Sequence, residues 1–489
     1  MTTAFNKEIF REYDIRGIAD RDLVDPVIEL LGKAFADYLR PSGVTTVTIG
    51  YDARLSSPRL RDALGRGLTA WGLNVIDIGL CPTPALYFSL HHLNPGAGIM
   101  ITGSHNPSEF NGFKLCVGKD TIYGEEIQKV GKIMASLAGS TDSRSVGKGT
   151  ITDHPIIPDY AGHLKGLFRD VADVPLKVVL DSGNGTAGLI APEVIRSMGC
   201  EVIELYSEPD GRFPNHHPDP TIPKNLETLI SRVKSSGADL GIAFDGDSDR
   251  IGVVDEKGAV LWGDQLMVLF SRDILRERPG ATFVSEVKCS QTMYDDIRTH
   301  GGNAIMWKTG HSLIKAKMKE TGAVLAGEMS GHIFFADRYF GYDDAIYAAC
   351  RVVEILKKIR ASAKAAHRSS PSPVSYEQRA IDLSSLIADL PKTFNTPEIR
   401  FDCPDNLKFK VVEKIRDLYS HPEGMSLPVR EVIIVDGVRA VFQKGWGLIR
   451  ASNTQPVLVM RFEAVDEASL RSIRALMEEQ VKSSIASLS

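Results

Sequence analysis

The residues best suited to chemistry in this sequence form a short acidic run, Asp245-Gly246-Asp247-Ser248-Asp249-Arg250. Its three carboxylates stand at alternate positions, so they can converge on one cation if the loop curls round it. The small residues Gly246 and Ser248 allow such a curl. Ligand sets made only of oxygen favour Mg²⁺ or Ca²⁺ over zinc. The pattern therefore predicts a hard divalent cation bound by Asp245, Asp247 and Asp249.

A calcium-binding EF-hand loop is an alternative interpretation of this run. Counting from Asp245, acidic residues fall at positions 1, 3 and 5, and Glu256 falls at position 12. The EF-hand also needs glycine at position 6, where this chain has Arg250, and a helix on each side of the loop. The flanking segments LGIAF and IGVV are typical of strands. Metal binding between two strands is preferred, and a solvated acidic turn is a further alternative.

A second polar segment, Thr102-Gly103-Ser104-His105-Asn106-Pro107, follows the apolar residues 98–101. A serine just past a buried strand is expected to face solvent at the edge of a sheet. Ser104 and His105 are adjacent, as a hydrolase nucleophile and base could be. Neighbouring residues rarely form the required hydrogen-bonded pair, however, and the Gly-x-Ser-x-Gly turn is absent. A structural turn is the other interpretation, because these residue types are common in turns.

Two further polar segments have the composition of ligand-binding loops. In residues 327–332 (GEMSGH), Glu328, Ser330 and His332 alternate, so in an extended loop they point the same way and suit a sugar's hydroxyl groups. In residues 450–456 (RASNTQP), a guanidinium, hydroxyls, an amide and backbone N–H groups suit a phosphate. Polar turns of no function remain the alternative for both segments.

Isolated basic residues could serve the same anion. These are Arg16 in the segment Tyr13-Asp14-Ile15-Arg16-Gly17, Lys114 and Lys288. Each is by default a surface charge.

A glycine pattern in the middle of the chain raises a different class of function. Gly183-x-Gly185-x-x-Gly188 follows the predicted strand KVVLD, and Glu204 comes about twenty residues later. This matches the dinucleotide-binding fingerprint in outline, so an NAD-dependent dehydrogenase is a rival hypothesis. The same glycines also fit a tight turn from strand to helix, and a dehydrogenase leaves the other polar segments without a purpose.

Length and composition describe a protein of several domains. A chain of 489 residues is too long for one ordinary core and indicates three or four domains. The net charge of −5 gives no basic surface for nucleic acid, and no run of eighteen apolar residues could span a membrane. The start has no apolar signal segment, and the six cysteines are scattered. We therefore expect reduced thiols, a cytoplasmic protein, and neither nucleic acid nor membrane as a partner.

The elements that must position the polar segments alternate between strands and helices, which is typical of α/β domains with buried strands. Three polar segments come directly after a predicted strand, where open α/β sheets bind ligands. The predicted strands are 44–49, 74–78, 98–101, 177–180, 240–244 and 323–325, and the predicted helices include 58–71 and 192–198.

The last part of the chain differs in character. Residues 361–375 are rich in Ser, Pro and Ala and are predicted to form a linker. Beyond them, Asp436-Gly437 is a hairpin signal, and residues 467–485 have the pattern of a helix. With strands predicted at 432–435, 439–442, 447–451 and 457–462, this part reads as a small α+β domain.

Taken together, TGSHNP, DGDSDR, GEMSGH and RASNTQP resemble the four site loops of the α-D-phosphohexomutase superfamily, most closely its bacterial phosphomannomutase/phosphoglucomutase branch. They occur in the family's order across the whole chain, and the opening FREYDIRG is similar too. The resemblance implies a heart-shaped molecule of three related α/β domains and a C-terminal α+β domain. The expected domains are 1–152, 153–256, 257–368 and 369–489. One departure is Ser248, where the family often has glycine.

The resemblance also implies roles for individual residues. Ser104 would carry the phosphoryl group, with His105 and Arg250 beside it, and the three aspartates would bind Mg²⁺ together with that phosphate. Sugar hydroxyls would be held by Glu328 and Ser330, and the phosphate that is not transferred by Arg450, Ser452, Asn453 and Thr454. Further positions lining the family's site are Tyr13, Arg16, Lys114, Lys288, His311 and His332.

The reaction implied is the interconversion of hexose 1-phosphate and hexose 6-phosphate, for mannose, glucose or both. It would pass through the phosphoserine and a hexose 1,6-bisphosphate, which would also act as activator. Lys114, His311 and His332 are the candidates for general acid and base, without a ranking among them. The sugar preference and the choice between monomer and dimer stay open.

Overall fold

The computed structural model describes residues 4–139, 147–369, 381–423, 425–453 and 455–488. It divides into two compact units. The first unit consists of Met1–Asp273 and Ser330–Ala388, and the second of Ile274–Met329 and Asp389–Ser489.

The first unit contains two large sheets and most of the helices. Its strands are β1 (Ile15–Ile18), β2 (Thr46–Tyr51), β3 (Asn74–Leu80), β4 (Gly96–Ile101), β5 (Phe110–Val117), β6 (Asp120–Thr121), β7 (Ile151–Asp153), β8 (Leu176–Asp181), β9 (Cys200–Leu205), β10 (Leu240–Phe244), β11 (Ile251–Asp255), β12 (Val260–Leu261) and β16 (Ile333–Phe335). Its helices are α1 (Asp25–Leu39), α2 (Ser57–Ala70), α3 (Thr83–His92), α4 (Glu125–Ala138), α5 (Ile157–Leu167), α6 (Ala191–Ser197), α7 (Glu227–Ser236), the start of α8 (Gly263–Glu277), and α11 (Ala345–Ser369).

The first sheet of this unit has the strand order β1-β5-β4-β2-β3-β7, with β6 paired to β5. The neighbours β4, β2 and β3 are parallel, whereas β5 is antiparallel to β4. Since β2 and β4 are parallel neighbours, the residues after their carboxyl ends lie at the same edge of the sheet. Asp52 therefore comes close to Thr102 and the segment that contains Ser104.

The second sheet has the order β12-β11-β10-β8-β9. Strand β10 is parallel to β8 and antiparallel to β11, and Phe244 pairs with Ile251 across that antiparallel pair. The acidic run 245–250 is thus the short connection between two buried strands. This geometry contradicts the EF-hand, which requires helices on both sides, and it confirms the strands predicted on each side of the run.

A hydrophobic core supports the first sheet. Helices α1, α2 and α4 contribute the buried side chains of Phe35, Leu64 and Val130, which pack with Ile99 of β4. Apolar residues recur along these helices at helical spacing and form one apolar face on each helix. Burial of that face against the sheet holds the helix in place. The loops at the sheet edge are therefore carried by a rigid support.

The second unit combines a parallel sheet with an antiparallel one. Strands β13 (Thr282–Glu286), β14 (Asn303–Trp307) and β15 (Leu325–Gly327) are arranged β14-β13-β15 and accompanied by α9 (Gln291–Thr299) and α10 (His311–Thr321). The antiparallel sheet has the order β17-β22-β21-β20-β19, with β18 on β22. Its elements are β17 (Phe394–Asn395), β18 (Ile399–Asp402), β19 (Val429–Ile433), β20 (Val438–Phe442), β21 (Gly445–Ala451), β22 (Val457–Ala464), α12 (Asp405–Ser420) and α13 (Glu467–Ala486).

Most predicted elements are confirmed to within a few residues, including the Asp436-Gly437 hairpin between β19 and β20. The strand predicted at 323–325 is displaced and spans Leu325–Gly327. The linker prediction is wrong for residues 361–369, which continue α11, because the repeated alanines there favour helix. Residues 370–375 of that prediction lie outside the described residues. The bounds of the four predicted domains stay a prediction.

Two expectations from composition can be compared with the structure. All six cysteines lie in described segments, and each is buried without a disulfide. No helix in the described part of the chain combines the length and the apolar character needed to cross a bilayer.

One buried carboxylate in the first unit is stabilised by tyrosines. The hydroxyls of Tyr160 and Tyr339 donate to Asp344 Oδ2 at 2.6 and 2.7 Å, and the Tyr347 N–H donates to Oδ1 at 2.8 Å. Burial raises the pKa of Asp344 to about 6, although these hydrogen bonds oppose the rise.

We expect Asp344 to make folding stability fall as pH rises from 4 to 7. The unfolded carboxyl ionises near pH 4, whereas the folded one holds its proton to about pH 6, so unfolding releases a proton between these values. The difference between the folded and unfolded pKa values of Asp344 corresponds to ~3 kcal/mol in the free energy of unfolding. Urea unfolding of Asp344→Asn and the natural protein should show a stability difference that grows in favour of the variant over this pH range. A difference independent of pH would contradict the raised pKa.

Candidate active site

The acidic run folds into a tight loop that gathers its three carboxylates. Asp245 Oδ1 accepts hydrogen bonds from the backbone N–H groups of Asp249 and Arg250, both at 3.1 Å, which closes the loop. Ser248 has a φ of 62°, in the left-handed region that favours glycine. One oxygen from each of Asp245, Asp247 and Asp249 lies within 4.8 Å of the others, and all three side chains are fully buried.

These oxygens fit a hard divalent cation. Within the described residues, Asp247 Oδ1 and Asp249 Oδ1 are buried and accept no hydrogen bond. Burial, and the neighbouring carboxylates of Asp249 and Asp247, hold the pKa of Asp245 well above its usual range. Three crowded acidic groups with oxygens left over are the donor set that Mg²⁺ prefers. The prediction of a cation-binding loop agrees with this geometry.

Lys114 of β5 is the charge partner of the loop. Its Nζ donates to Asp247 Oδ2 at 3.1 Å and contacts Asp249 Oδ2 as well. Burial works to lower the pKa of Lys114, but the two carboxylates outweigh it and raise that pKa well above its usual range. Burial likewise works to raise the pKa of Asp247, yet Lys114 and a hydrogen bond from Thr83 lower it. Lys114 is therefore a buried, protonated cation.

Ser104 lies directly against the acidic loop. Its Oγ donates to Asp245 Oδ2 at 2.9 Å and is 3.1 Å from Nδ1 of His105. Desolvation and the charges of Arg250 and Arg16 hold the pKa of His105 well below its usual range. The expectation that Ser104 faces solvent is wrong, since only 4% of the residue is exposed. The acidic loop covers the serine: a Cβ at Gly246 would lie 2.6 Å from the Ser104 carbonyl oxygen.

Arg54, which was not predicted from the sequence, holds the backbone of the segment that contains Ser104. Its guanidinium is buried and donates to four backbone carbonyls at 2.6 to 2.8 Å. Asp52 pairs with Arg54 and also accepts from Thr102 Oγ1 and the Gly103 N–H, at 2.9 and 3.0 Å. The four carbonyls belong to Ser104, Asn106, Pro107 and Phe110. The position of Asp52 and Arg54 in the chain could have indicated this role, because both residues follow β2 and therefore lie at the same sheet edge as Ser104.

Other predicted residues of the first unit lie beside these loops. Arg16 donates to the Gly103 carbonyl at 2.6 Å, and Arg250 Nε donates to Nε2 of His332 at 2.9 Å. Nδ1 of His332 lies 3.0 Å from Asp343 Oδ2. The first unit thus brings together the serine, the three aspartates, Lys114, His105, Arg16, Arg250 and His332. Tyr13 and Ser330 also belong to this unit and are partly buried.

In the second unit, Glu328 and Lys288 are each held by neighbouring polar groups. Glu328 Oε1 accepts from the Gly310 N–H at 2.7 Å, just before His311 begins α10. Lys288 Nζ lies 3.5 Å from Glu286 and 3.3 Å from Glu398. Burial works to lower the pKa of Lys288, but these two glutamates outweigh it and raise the pKa. The glutamates were not predicted from the sequence.

The predicted phosphate loop starts at the end of β21. Arg450 Nε donates to Asp436 Oδ2 at 2.9 Å, and the same oxygen accepts from the Thr309 N–H at 3.0 Å. Ser452 Oγ accepts from the Gln455 N–H at 3.1 Å, which forms a small polar turn. Asp436, predicted only as a hairpin residue, therefore also fixes the Arg450 guanidinium. Asn453 is exposed, and Thr454 lies outside the described residues.

The structure gives the mid-chain glycines a packing role. A Cβ at Gly185 would lie 2.7 Å from the Gly246 carbonyl oxygen, and one at Gly188 would lie 1.7 Å from the Ser207 carbonyl oxygen. The turn also supports the acidic loop, because the Thr186 N–H donates to the Gly246 carbonyl at 3.1 Å. These contacts account for the glycine spacing without a dinucleotide.

Fold and site together define a multidomain α/β protein in which a buried serine donates a hydrogen bond to an acidic loop. Comparison with known families extends this description. Four models of phosphoglucomutase/phosphomannomutase domains match the chain: alpha/beta/alpha domains I, II and III and the C-terminal domain, at residues 7–139, 158–258, 262–373 and 398–480.

Individual relatives agree with the family models. A Pseudomonas putida phosphomannomutase/phosphoglucomutase is 43% identical over 478 residues, which cover 98% of this chain and 96% of the relative. A phosphoglucomutase from Neisseria meningitidis serogroup A is 40% identical over 478 residues, covering 98% and 97%. The crystal structure of a phosphoglucomutase/phosphomannomutase family protein from Burkholderia thailandensis matches with a TM-score of 0.86 and 38% identity, covering 98% of both chains. This chain therefore belongs to the phosphoglucomutase/phosphomannomutase family, and the predicted fold class is confirmed.

The role of Arg54 can be tested without any assay of activity. Arg54→Met should release the four backbone carbonyls that the guanidinium holds, so backbone amides of residues 103–110 should exchange hydrogen at least about tenfold faster. Arg351→Met is the matched control, because Arg351 is equally buried in the same unit but pairs with Asp337 and Asp273. Hydrogen-exchange mass spectrometry should show faster exchange of residues 103–110 only in Arg54→Met. Equal exchange in both variants would refute the role.

Proposed function

We propose that this protein is a phosphohexomutase that interconverts the 1-phosphate and 6-phosphate of mannose, glucose or both. The family membership supports the reaction class. The observation that carries the proposal is the contact between Ser104 Oγ and Asp245 Oδ2 at 2.9 Å, within a loop whose oxygens fit a divalent cation. A phosphoryl group on Ser104 would lie beside that cation.

The acidic loop and its neighbours have a defined task in this proposal. Asp245, Asp247 and Asp249 would hold Mg²⁺ together with the phosphate on Ser104. When bound, Mg²⁺ supplies Lewis-acid stabilisation of charge on the transferring phosphoryl oxygens. Lys114 adds a fixed positive charge at the same place, which favours a phosphate dianion there.

The transfer steps follow from this arrangement. A sugar hydroxyl attacks the phosphorus of phospho-Ser104, the bond from phosphorus to Ser104 Oγ breaks, and a 1,6-bisphosphate forms. After the bisphosphate turns round, Ser104 Oγ attacks its other phosphoryl group and regains the phosphate. Each attacking hydroxyl loses one proton to a base, and the leaving oxygen gains one from an acid. Added hexose 1,6-bisphosphate would recharge enzyme molecules that have lost the phosphate.

Lys114, His311 and His332 are the proposed groups for proton transfer, and the structure helps to distinguish two of them. Lys114 is held protonated by two aspartates, so it is better suited as an acid than as a base in this state. His332 Nε2 already accepts a hydrogen bond from Arg250. Proton uptake at that nitrogen would first require this bond to break.

Residues of the second unit are proposed to bind phosphate and sugar groups. Arg450, Ser452, Asn453 and Thr454 would hold the phosphate that is not transferred, with Lys288 as a further cation. Glu328, with Ser330 from the first unit, would accept and donate hydrogen bonds to sugar hydroxyls. Support comes from the fixed Arg450 guanidinium and from the Ser452 turn. Tyr13 and Arg16 complete the proposed set.

Replacement of the nucleophile tests the proposal directly. With Mg²⁺ and glucose 1,6-bisphosphate, the purified protein should convert mannose 1-phosphate and glucose 1-phosphate to their 6-phosphates, and the ratio of kcat/KM gives the preference. Ser104→Ala should reduce turnover by at least about 1,000-fold and abolish labelling by ³²P-bisphosphate. Ser89→Ala, at an equally buried serine on α3 away from the loop, is the control and should remain active. Normal turnover of Ser104→Ala would refute the phosphoserine.

Removal of the cation tests the acidic loop. Treatment with EDTA should abolish turnover, and added Mg²⁺ should restore it. Asp249→Asn removes one charged ligand and should raise the Mg²⁺ concentration for half-maximal activity at least about tenfold. Asp255→Asn, at a buried aspartate that caps the Lys257 and Ala259 N–H groups instead, should leave this concentration unchanged. Full activity after EDTA would rule out a metal in catalysis.

A further inference from the structure

The three aspartates of the acidic loop share one feature that bears on metal binding: each has an oxygen occupied by a protein donor. Asp245 Oδ1 accepts two backbone N–H groups, and Asp249 Oδ2 is occupied by Lys114. Asp247 Oδ2 is occupied twice, by Lys114 Nζ at 3.1 Å and by Thr83 Oγ1 at 2.6 Å. The other oxygen of Asp247, Oδ1, is buried and accepts no hydrogen bond within the described residues.

Thr83 holds Asp247 at two points. Besides the side-chain hydrogen bond, the Thr83 N–H donates to the Asp247 backbone carbonyl at 2.9 Å. Thr83 is the first residue of α3, where backbone N–H groups have no partner within the helix. The Asp247 carbonyl therefore accepts a hydrogen bond from a backbone N–H at the start of α3 that has no partner within the helix. In turn, Thr83 holds both the backbone and the carboxylate of Asp247.

We propose that Thr83 is a positioning residue for the metal site, whose hydroxyl fixes Asp247 Oδ2 so that Oδ1 is the oxygen presented to the cation. This inference rests on the proposed metal-binding role of the loop. Thr83 is fully buried and donates its only hydroxyl proton to the carboxylate. A ligand whose second oxygen is anchored needs no reorientation when the ion binds, and such anchors typically change metal affinity about 10- to 100-fold.

The hydrogen bond from Thr83 to Asp247 also connects the acidic loop to the elements that carry Ser104. Thr83 and Lys114 belong to the elements around the first sheet, which also carries Ser104 after β4. Asp247 comes from the second sheet, 164 positions away from Thr83 in the chain. One donor from the first sheet and one from helix α3 beside it thus hold the Asp247 carboxylate against the elements that carry Ser104.

Metal titration without substrate is the test, with Mg²⁺ by calorimetry or Mn²⁺ by electron paramagnetic resonance on the full-length protein. Thr83→Val keeps the shape but loses the hydroxyl, and its affinity should fall about 10- to 100-fold. Thr83→Ser keeps the hydroxyl and should stay within about threefold of the natural protein. At saturating Mg²⁺ the Val variant should recover most of its kcat, because only metal affinity is affected.

Thr186→Val is the matched control, because Thr186 Oγ1 contacts Ser248 Oγ and the Gly246 carbonyl in the same loop but no carboxylate. It should bind metal like the natural protein. Equal affinity in Thr83→Val and Thr83→Ser would overturn the inference while leaving the metal site intact, and equal losses in Thr83→Val and Thr186→Val would overturn it too. No binding by the natural protein would instead remove the metal site itself. If Thr83→Val does not fold, Thr83→Ala takes its place in the same titration.

Discussion

Three carboxylates buried within 4.8 Å of one another are the electrostatic constraint around which the first unit is arranged. Two like charges about 4 Å apart repel by about 4 kcal/mol at an effective dielectric constant near 20. A loop of this kind folds only where donors compensate the charge. Backbone N–H groups donate to Asp245, and Lys114 pairs with Asp247 and Asp249.

The same constraint explains the position of Ser104. Its hydroxyl donates a hydrogen bond to one of the crowded carboxylates. The serine is therefore buried beneath the acidic loop. Arg54 and Asp52 hold the backbone of the serine segment from the opposite side. A serine held on both sides keeps a fixed distance to the acidic loop.

Charge pairs also position side chains in the second unit. Asp436 joins Arg450 to the backbone before α10, and Glu286 pairs with Lys288 while its other oxygen accepts from the Met329 N–H at 2.9 Å. In each pair the carboxylate holds a basic side chain in place. A cation held in this way is ready to bind an anion, because little side-chain entropy is lost when the anion arrives.

The sequence alone determined the features that are local in the chain. The acidic run, the serine segment and the polar turn at 450–456 are each contiguous, so their residue types reveal their chemistry, and strand periodicity placed them at sheet edges. Tertiary structure decided which side chains support them. Thr83 and Arg54 contact residues 164 and about fifty positions away. Such partners depend on how parallel strands are ordered in a sheet, and local patterns of polarity do not encode that order. The burial of Ser104 has the same origin, since the covering loop comes from another sheet.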